Sequence, residues 1–225
     1  MTHLKSIKSA LVVPASLAMA LALSACGSNL NLADNITASG TATVSSGAID
    51  TSLDNVSNGS VTSSEVGLVA YATGTNPRRG QIVALAGIED GAAVGEPVTG
   101  GTVTYDTRYN YQVAAEVERS SLFINGLRGS RASEGRATLT ADFDNGTLTG
   151  NTSDLDVDGQ INGQAVTGTA TVDYSLRRTV FGNNTVSGTV QTSLDGQIGS
   201  EGVIATFHGR DSTTTVAGGL VGVAN

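Results

Sequence analysis

Apolar and polar residues alternate with a period of two along the C-terminal half of the chain. In residues 137–143 (ATLTADF), the apolar side chains fall on one face of an extended backbone, and the threonines and the aspartate fall on the other. Residues 144–146 (DNG) then form a turn signal, and the alternation resumes in residues 147–150 (TLTG). This pattern predicts a β-hairpin.

A second hairpin is predicted over residues 154–174. Its first strand directs Leu155, Val157 and Ile161 inward. The polar residues of this strand are predicted to face outward, namely Asp154, Asp156, Asp158 and Gln160. After a turn at Asn162-Gly163, residues 165–174 (AVTGTATVDY) alternate again, which predicts the partner strand.

The start of this segment also has the spacing of a calcium loop, because carboxylates at alternating positions precede Gly159. An EF-hand requires a bidentate Glu at its twelfth position and a helix on each side. Counted from Asp154, the twelfth residue is Ala165, and both flanks have strand periodicity. We therefore interpret the aspartates as strand residues and expect no metal site.

The same β pattern continues to the C-terminus, and we find no helical apolar spacing after the N-terminal leader. Inward positions mix Gly and Ala with larger apolar residues, which suits a narrow barrel interior. The runs are about six to eight residues long with polar outer faces, whereas strands that span a lipid bilayer need about 9–11 residues and apolar outer faces. We predict an all-β protein with a soluble, antiparallel up-and-down β-barrel of about eight strands.

The N-terminal half divides into three predicted segments. Residues 26–60 are polar and weakly patterned, which predicts a lipid-anchored tether. Residues 61–95 contain the apolar runs VGLVAYAT and QIVALAGI, separated by GTNPRRG, and are expected to form a small β-region. The barrel is then expected over residues 96–225.

Residues 1–25 resemble a bacterial lipoprotein signal peptide. Lys5 and Lys8 form a basic start, LVVPASLAMALAL is too short for a spanning helix, and Leu-Ser-Ala precedes Cys26, the only cysteine of the chain. The resemblance implies cleavage before Cys26 and attachment of acyl chains there, and several chains give stable anchoring. Gly27 follows instead of the Asp typical of inner-membrane retention, so we expect a Gram-negative outer membrane, with the protein on the cell surface.

Charge argues against a nucleic-acid partner. The formal net charge is −8, and both lysines lie in the leader, so its removal lowers the charge to −10. Nucleic-acid binding requires clustered positive charge.

Four stretches of residues 96–225 carry a family resemblance, namely PVTGGTVTY, ATLTADFDNGTLTG, INGQAVTGTATV, and VSGTV with ATFHGRDSTTTVAGGLVG. They resemble the β-barrel domain of transferrin-binding protein B and its relatives, which are surface lipoproteins that bind iron proteins, haem carriers or host factors. Phe207, Gly209, Gly218 and Gly219 match the closing signature of that family, whereas Ser212 and Thr214 stand where Ala and Glu are usual. The matched residues build a barrel and specify no ligand. Bilobed members repeat a handle and a barrel, and this chain has room for one such unit, so transferrin binding is not carried over.

Catalysis is not expected. His208 is the only histidine after the leader, and Asp211 and Ser212 lie near it, but neighbouring polar residues at a strand end are weak support for a triad. A haem ligand is an alternative role for His208, and a tolerant, outward-facing strand position is the simpler interpretation. No Cys and His cluster suggests zinc, and we expect no cofactor.

Arginines recur in three predicted loops, at Arg78-Arg79, Arg128 with Arg131, and Arg177-Arg178. The last loop also contains Phe181, and an aromatic ring beside arginines has the composition of an interface anchor. Arg177, Arg178 and Phe181 are therefore candidate partner-binding residues, and the alternative is a solvated loop whose Phe packs on the barrel.

Two functional hypotheses follow. The first is a non-enzymatic outer-membrane surface lipoprotein that binds a soluble partner, such as an iron, haem or other metal carrier or a host protein. The alternative is a structural or adhesive envelope lipoprotein without a small ligand, with a β-solenoid as a possible architecture. Tight turns favour antiparallel hairpins, and no fixed repeat length supports a solenoid.

Overall fold

The structure is a computed structural model that describes residues 37–76, 78–79, 81–115, 129–177 and 185–225. The predicted signal peptide and the predicted lipidation site, Cys26, lie outside this range. The described residues belong to one compact unit. Among them, no helix has both the length and the apolar character needed to cross a membrane.

Fourteen strands make up the described chain. The first six are β1 (Thr37–Thr41), β2 (Val44–Ser45), β3 (Ala48–Ile49), β4 (Asp54–Ser63), β5 (Gly67–Asn76) and β6 (Gln81–Ile88). The remaining eight are β7 (Thr102–Ala115), β8 (Gly129–Asp142), β9 (Thr147–Asn151), β10 (Leu155–Asn162), β11 (Ala165–Arg177), β12 (Thr185–Ile198), β13 (Gly202–Arg210) and β14 (Thr214–Ala224).

Strands β7–β14 form a closed antiparallel barrel in which each strand pairs with its neighbours in sequence, and β14 returns to pair with β7. The predicted eight-stranded up-and-down barrel is therefore confirmed. The predicted hairpin of β10 and β11 is present, with Leu155 opposite Val172. Its two-residue turn is Gly163-Gln164, and Gly163 takes the positive φ of 63° that such turns require. Antiparallel closure excludes a solenoid.

The barrel interior is an apolar core to which all eight strands contribute. Its fully buried members include Tyr105 on β7, Leu139 on β8, Leu148 on β9 and Phe207 on β13. The predicted inward faces of β8, β10 and β11 supply Ala141, Val157, Val172 and others. Alternation thus identified the core positions correctly, since one face of each strand lines the interior.

The strands are longer than predicted. Strands β7, β8 and β12 each contain 14 residues. The apolar alternation fades near the barrel mouth, because inward positions there carry small or polar residues such as Ser133 and Gly135. The sequence pattern therefore ends before the strand does.

A four-stranded sheet with the order β1-β6-β5-β4 precedes the barrel. Strand β1 pairs in parallel with β6, and Thr37 lies opposite Ile82. The predicted tether over residues 26–60 is thus wrong from Thr37 onward. The reason is that β1 consists of small residues and β4 exposes most of its side chains, so neither strand has strong apolar alternation.

The sheet packs on the outer surface of the barrel. Val61, Val69 and Tyr71 form one core with Ile204, Ala217 and Val221 of β13 and β14. The opposite face of the sheet is covered by the β2–β3 hairpin, where Val44 and Ile49 meet Ala70 and Ala72. Cover on both faces explains why β5 and β6 are nearly continuous apolar runs.

The two ends of the barrel differ in their connections. We call one the loop end, and β7, β9, β11 and β13 all end there. We call the other the turn end, where the connections are 143–146, 163–164 and 199–201. Backbone hydrogen bonds tie the segment before β7 to the turn end, since the amides of Glu201 and Gly202 both donate to the carbonyl of Val94.

Candidate functional sites

Asp154 lies at the loop end just before β10 and accepts hydrogen bonds from four hydroxyl groups. Tyr109 and Thr152 donate to Oδ1, the latter over 3.1 Å. Tyr111 and Ser133 donate to Oδ2 over 2.9 and 3.2 Å. The donors come from β7, β8 and the turn that contains Asp154. This polar cluster therefore links the β9–β10 turn to β7 and β8 at the barrel mouth.

The prediction that Asp154 faces outward is wrong, whereas Asp156 and Asp158 are exposed as predicted. Asp154 precedes the strand, so the period of two does not apply to it. Partial burial acts to raise its pKa, but the hydrogen bonds from Tyr109, Tyr111, Thr152 and Ser133 outweigh this and lower it below the usual value. Burial and the nearby carboxylate raise the pKa of both tyrosines. Asp154 is thus an ionised acceptor whose partners are already in place.

His208 faces away from the barrel interior, as predicted, but it is half-buried, so the predicted tolerance of this position for many side chains is wrong. It projects from β13 on the side away from the interior, where the sheet covers the barrel, and its Nδ1 has no hydrogen-bond partner among the described residues. Burial lowers the pKa of His208, and the negative charge of Asp195 partly opposes this. The imidazole is therefore neutral at pH 7.

Asp211, the other charged member of the imagined triad, caps the β13–β14 turn. Its Oδ1 accepts from the backbone amides of Thr213 and Thr214 over 2.7 and 2.6 Å. The carboxylate of Asp211 therefore stabilises the turn and is not oriented toward His208 by any hydrogen bond among the described residues. Among the described residues, no group of three or more His, Cys, Asp or Glu side chains is placed to hold a metal ion.

Of the candidate partner-binding residues, the structure describes only the backbone of Arg177, which lies at the loop end. Arg177 is the last residue of β11 and pairs through its backbone with Thr185. Its side chain lies outside the described part of the structure, as do Arg178 and Phe181. Arg131, predicted in a loop, belongs to β8, and its Nη1 donates to the carbonyl of Ser175 over 3.0 Å. Arg78 and Arg79 are exposed in the β5–β6 turn, as predicted.

A groove that sequence analysis missed runs between β4 and the outer surface of β7 and β8. We call it the β4 groove. It has two adjoining parts of about 510 and 500 Å³, and Thr62, Arg108 and Arg136 line both. Arg108 and Arg136 lie directly opposite each other across the β7–β8 pair, and both are exposed. The alternation of β7 and β8 could have predicted that both arginines face outward. It could not have predicted that β4 forms the opposite wall of a groove.

No family model matches the chain, and no curated protein matches it. Three solved structures of transferrin-binding protein B are similar to this chain. This is the family that the four sequence stretches resemble. The three structures are intact Ap-TbpB with its N and C lobes (14% identity, TM-score 0.43), a point mutant of the vaccine antigen from Haemophilus parasuis Hp5 (13%, 0.42), and the isotype 1 protein from serogroup B Neisseria meningitidis (12%, 0.44).

The similarity covers 76%, 74% and 79% of this chain, respectively. It covers 38%, 36% and 37% of the matched chains, so this chain spans less than two fifths of their length. Likeness at this level does not transfer a partner.

Proposed function

We propose that this chain is a non-enzymatic lipoprotein of the outer-membrane surface that binds a soluble partner through the loop end of its barrel. Cys26 carries the lipid, and Arg177, Arg178 and Phe181 contribute to the partner surface. The partner is a soluble iron, haem or other metal carrier, or a host protein.

The observation that carries this proposal is the contrast between the two barrel ends. The two longest stretches of sequence between consecutive barrel strands are residues 116–128 and 178–184, and the strands that they join, β7 with β8 and β11 with β12, have those termini at the loop end. Long loops on a rigid scaffold are where binding residues concentrate. The interior is lined by packed apolar side chains, so a partner is expected on the outside.

The net negative charge of the chain limits how the arginines at the loop end can act in partner binding. The body is acidic, so it repels an anionic partner at long range. The Arg177-Arg178 pair therefore acts chiefly by direct contact, and Phe181 adds apolar area to it. Polar groups near this end serve the fold, since Asp154 and Asp211 hold the strand connections. The proposal accordingly assigns no catalytic step.

The test begins with capture of the partner on the purified Cys26→Ser protein from host serum or growth medium. Affinity is then measured for the Arg177→Glu/Arg178→Glu variant and for the same variant with Phe181→Ser. Truncating an interface anchor costs at least about 2 kcal/mol, or about thirty-fold in affinity. We expect a loss of this size, with unchanged β-type circular dichroism and cooperative melting.

Arg78→Glu/Arg79→Glu is the matched control, because this exposed pair changes the net charge equally at the β5–β6 turn. A similar loss in the control would mean that only overall charge matters. Unchanged affinity in the triple variant would remove the loop from the interface. Failure to capture any partner would favour the structural or adhesive alternative.

A further inference from the structure

The edge of the N-terminal sheet is open at β4. This strand is the outermost of its sheet, so alternate residues direct their N–H and C=O groups away from β5. Natural edge strands are usually protected by charges, proline or a bulge. The only irregularity of β4 lies between Asp54 and Ser57, and residues 58–63 (NGSVTS) contain neither a charge nor a proline. These six residues therefore form a regular edge that can pair with another strand.

The outer surface of β7 and β8, which forms the wall of the β4 groove facing this edge, carries two adjacent positive charges. Arg108 and Arg136 form a directly opposed cross-strand pair, and like charges in that position destabilise a sheet. The arginine side chains that hydrogen-bond to described residues are those of Arg131 and Arg210. Arg108 and Arg136 make no such bond with any residue that the structure describes. An anionic group between them would relieve the repulsion and accept hydrogen bonds from both.

The neighbouring residues define where that anionic group belongs. On the same outer face, Asp106 precedes Arg108 by two residues, and Glu134 precedes Arg136 by two. These carboxylates flank the arginine pair, and Glu65 also lines the part of the groove that contains Asp106, so a highly acidic occupant would be repelled at both sides of the pair. The Glu134 charge also reaches the sheet, because burial and, to a lesser degree, Glu134 raise the pKa of Tyr71 to about 12. The site thus favours carboxylates that are spaced apart along an extended chain.

We propose that the β4 groove binds an extended acidic peptide segment of a protein partner. The segment pairs with residues 58–63 as a fifth strand of the N-terminal sheet and places one carboxylate between Arg108 and Arg136. Main-chain hydrogen bonds to the edge supply affinity, as in other complexes formed by strand addition, and the arginine pair selects the acidic side chain. The groove, at about 500 Å³ for each part, lies within the size range of binding clefts.

This inference deepens the proposed function, because it adds a second contact surface for a protein partner, but it can be tested without that partner. The probe is a fluorescent decapeptide of alternating Ser and Thr that carries a single Glu near its centre, added to the full-length protein in detergent. Anisotropy measures its affinity, and hydrogen–deuterium exchange measures protection of residues 58–63. We expect saturable binding, protection of β4, and an affinity at least about tenfold weaker for the Arg108→Gln/Arg136→Gln variant.

Three controls make the result specific. Arg78→Gln/Arg79→Gln removes the same charge elsewhere and is expected to bind the probe normally. The same decapeptide with Lys in place of Glu is expected not to bind, and a probe methylated at alternate backbone nitrogens is expected to lose both affinity and β4 protection. Equal affinity for the double variant, equal binding of the Lys peptide, or binding without protection of residues 58–63 would overturn the proposal. Each of these results leaves the partner-capture experiment unaffected.

Discussion

At the residue scale, Asp154 is the side chain that accepts from the most donors among the described residues of the barrel mouth. Hydroxyl groups of Tyr109, Tyr111, Ser133 and Thr152 all point to its two oxygens. Hydrogen bonds to a charged group contribute about 1.5–3 kcal/mol when both partners are desolvated. Because this carboxylate is only partly buried, we expect the lower part of that range for the whole cluster.

We predict that Asp154→Asn lowers the free energy of unfolding by about 1–2 kcal/mol, because an amide is a weaker acceptor and brings its own donors into a site that already has four. Urea unfolding at pH 7 measures the change. Asp156→Asn is the matched control, since Asp156 is exposed on the outer face of β10, and surface changes of this kind stay within about 0.5 kcal/mol. Equal effects of the two substitutions would show that the cluster contributes nothing special.

The pH dependence of the same comparison has a defined sign. The folded state lowers the pKa of Asp154, so its stabilising contribution is present above the unfolded-state value of about 3.9 and is lost as pH falls through the lower, folded-state value. We predict that the stability difference between wild type and Asp154→Asn persists from pH 7 to pH 5 and shrinks below about pH 4. Unfolding measured across this range checks it. A difference that grows in acid would contradict the assigned direction.

At the element scale, the adjacent glycines of β14 allow close packing on opposite faces of the strand. Gly218 faces the interior, where a Cβ would lie 2.5 Å from the Cβ of Tyr111. Gly219 faces outward, where a Cβ would lie 2.1 Å from Cγ1 of Val69 on β5. The first glycine therefore makes room for an aromatic ring inside the barrel, and the second lets the N-terminal sheet approach the outside.

We predict that Gly219→Ala destabilises the protein by about 1–3 kcal/mol, because the added methyl group overpacks the interface between sheet and barrel. Val69→Ala should partly compensate, so the double variant should be more stable than the two single effects would predict, by about 1 kcal/mol. Gly40→Ala is the control, since nothing lies within 4 Å of a Cβ there. Additive effects at Gly219 and Val69 would exclude a clash between them.

Sequence patterns predicted the elements whose two faces differ and missed those whose faces are alike. Strands β10 and β11 were predicted correctly because each has one solvent-exposed face and one buried face. In β10, Val157 is buried and Asp158 is exposed. Strand β4 was missed because its edge position leaves most side chains exposed, so that Val61 is its only buried residue. Asp154 and the β4 groove depend on partners distant in sequence, which local periodicity does not report.

At the scale of the whole molecule, the two layers of the fold create the surfaces that the chain offers. The barrel was predictable because closure follows from consecutive hairpins. Docking of the sheet on β13 and β14 was not, since it depends on apolar residues such as Ala217 and Val221 that face away from the interior. This docking creates the β4 groove, so the groove depends on the sheet, which sequence patterns predicted less well than the barrel.

Attachment to the membrane also belongs to the whole molecule, and we predict that it depends on Cys26. The chain has a net charge of −8, and an acidic body is repelled by anionic headgroups, so electrostatics would not hold it at a membrane. Acyl chains on Cys26 would, because more than one chain gives stable anchoring. Metabolic labelling with a fatty acid should tag the protein, and Cys26→Ser should abolish both the label and its recovery with membranes.

Gly27→Asp provides a control that separates lipidation from sorting. It leaves Cys26 in place and introduces the residue typical of inner-membrane retention, so the label should persist while the protein moves from the outer-membrane to the inner-membrane fraction. Circular dichroism of the purified variants should be unchanged, because the described fold begins at Thr37, after both positions. Label that survives in Cys26→Ser would refute lipidation at this residue. Loss of label in Gly27→Asp would show instead that the substitution blocks processing of the leader.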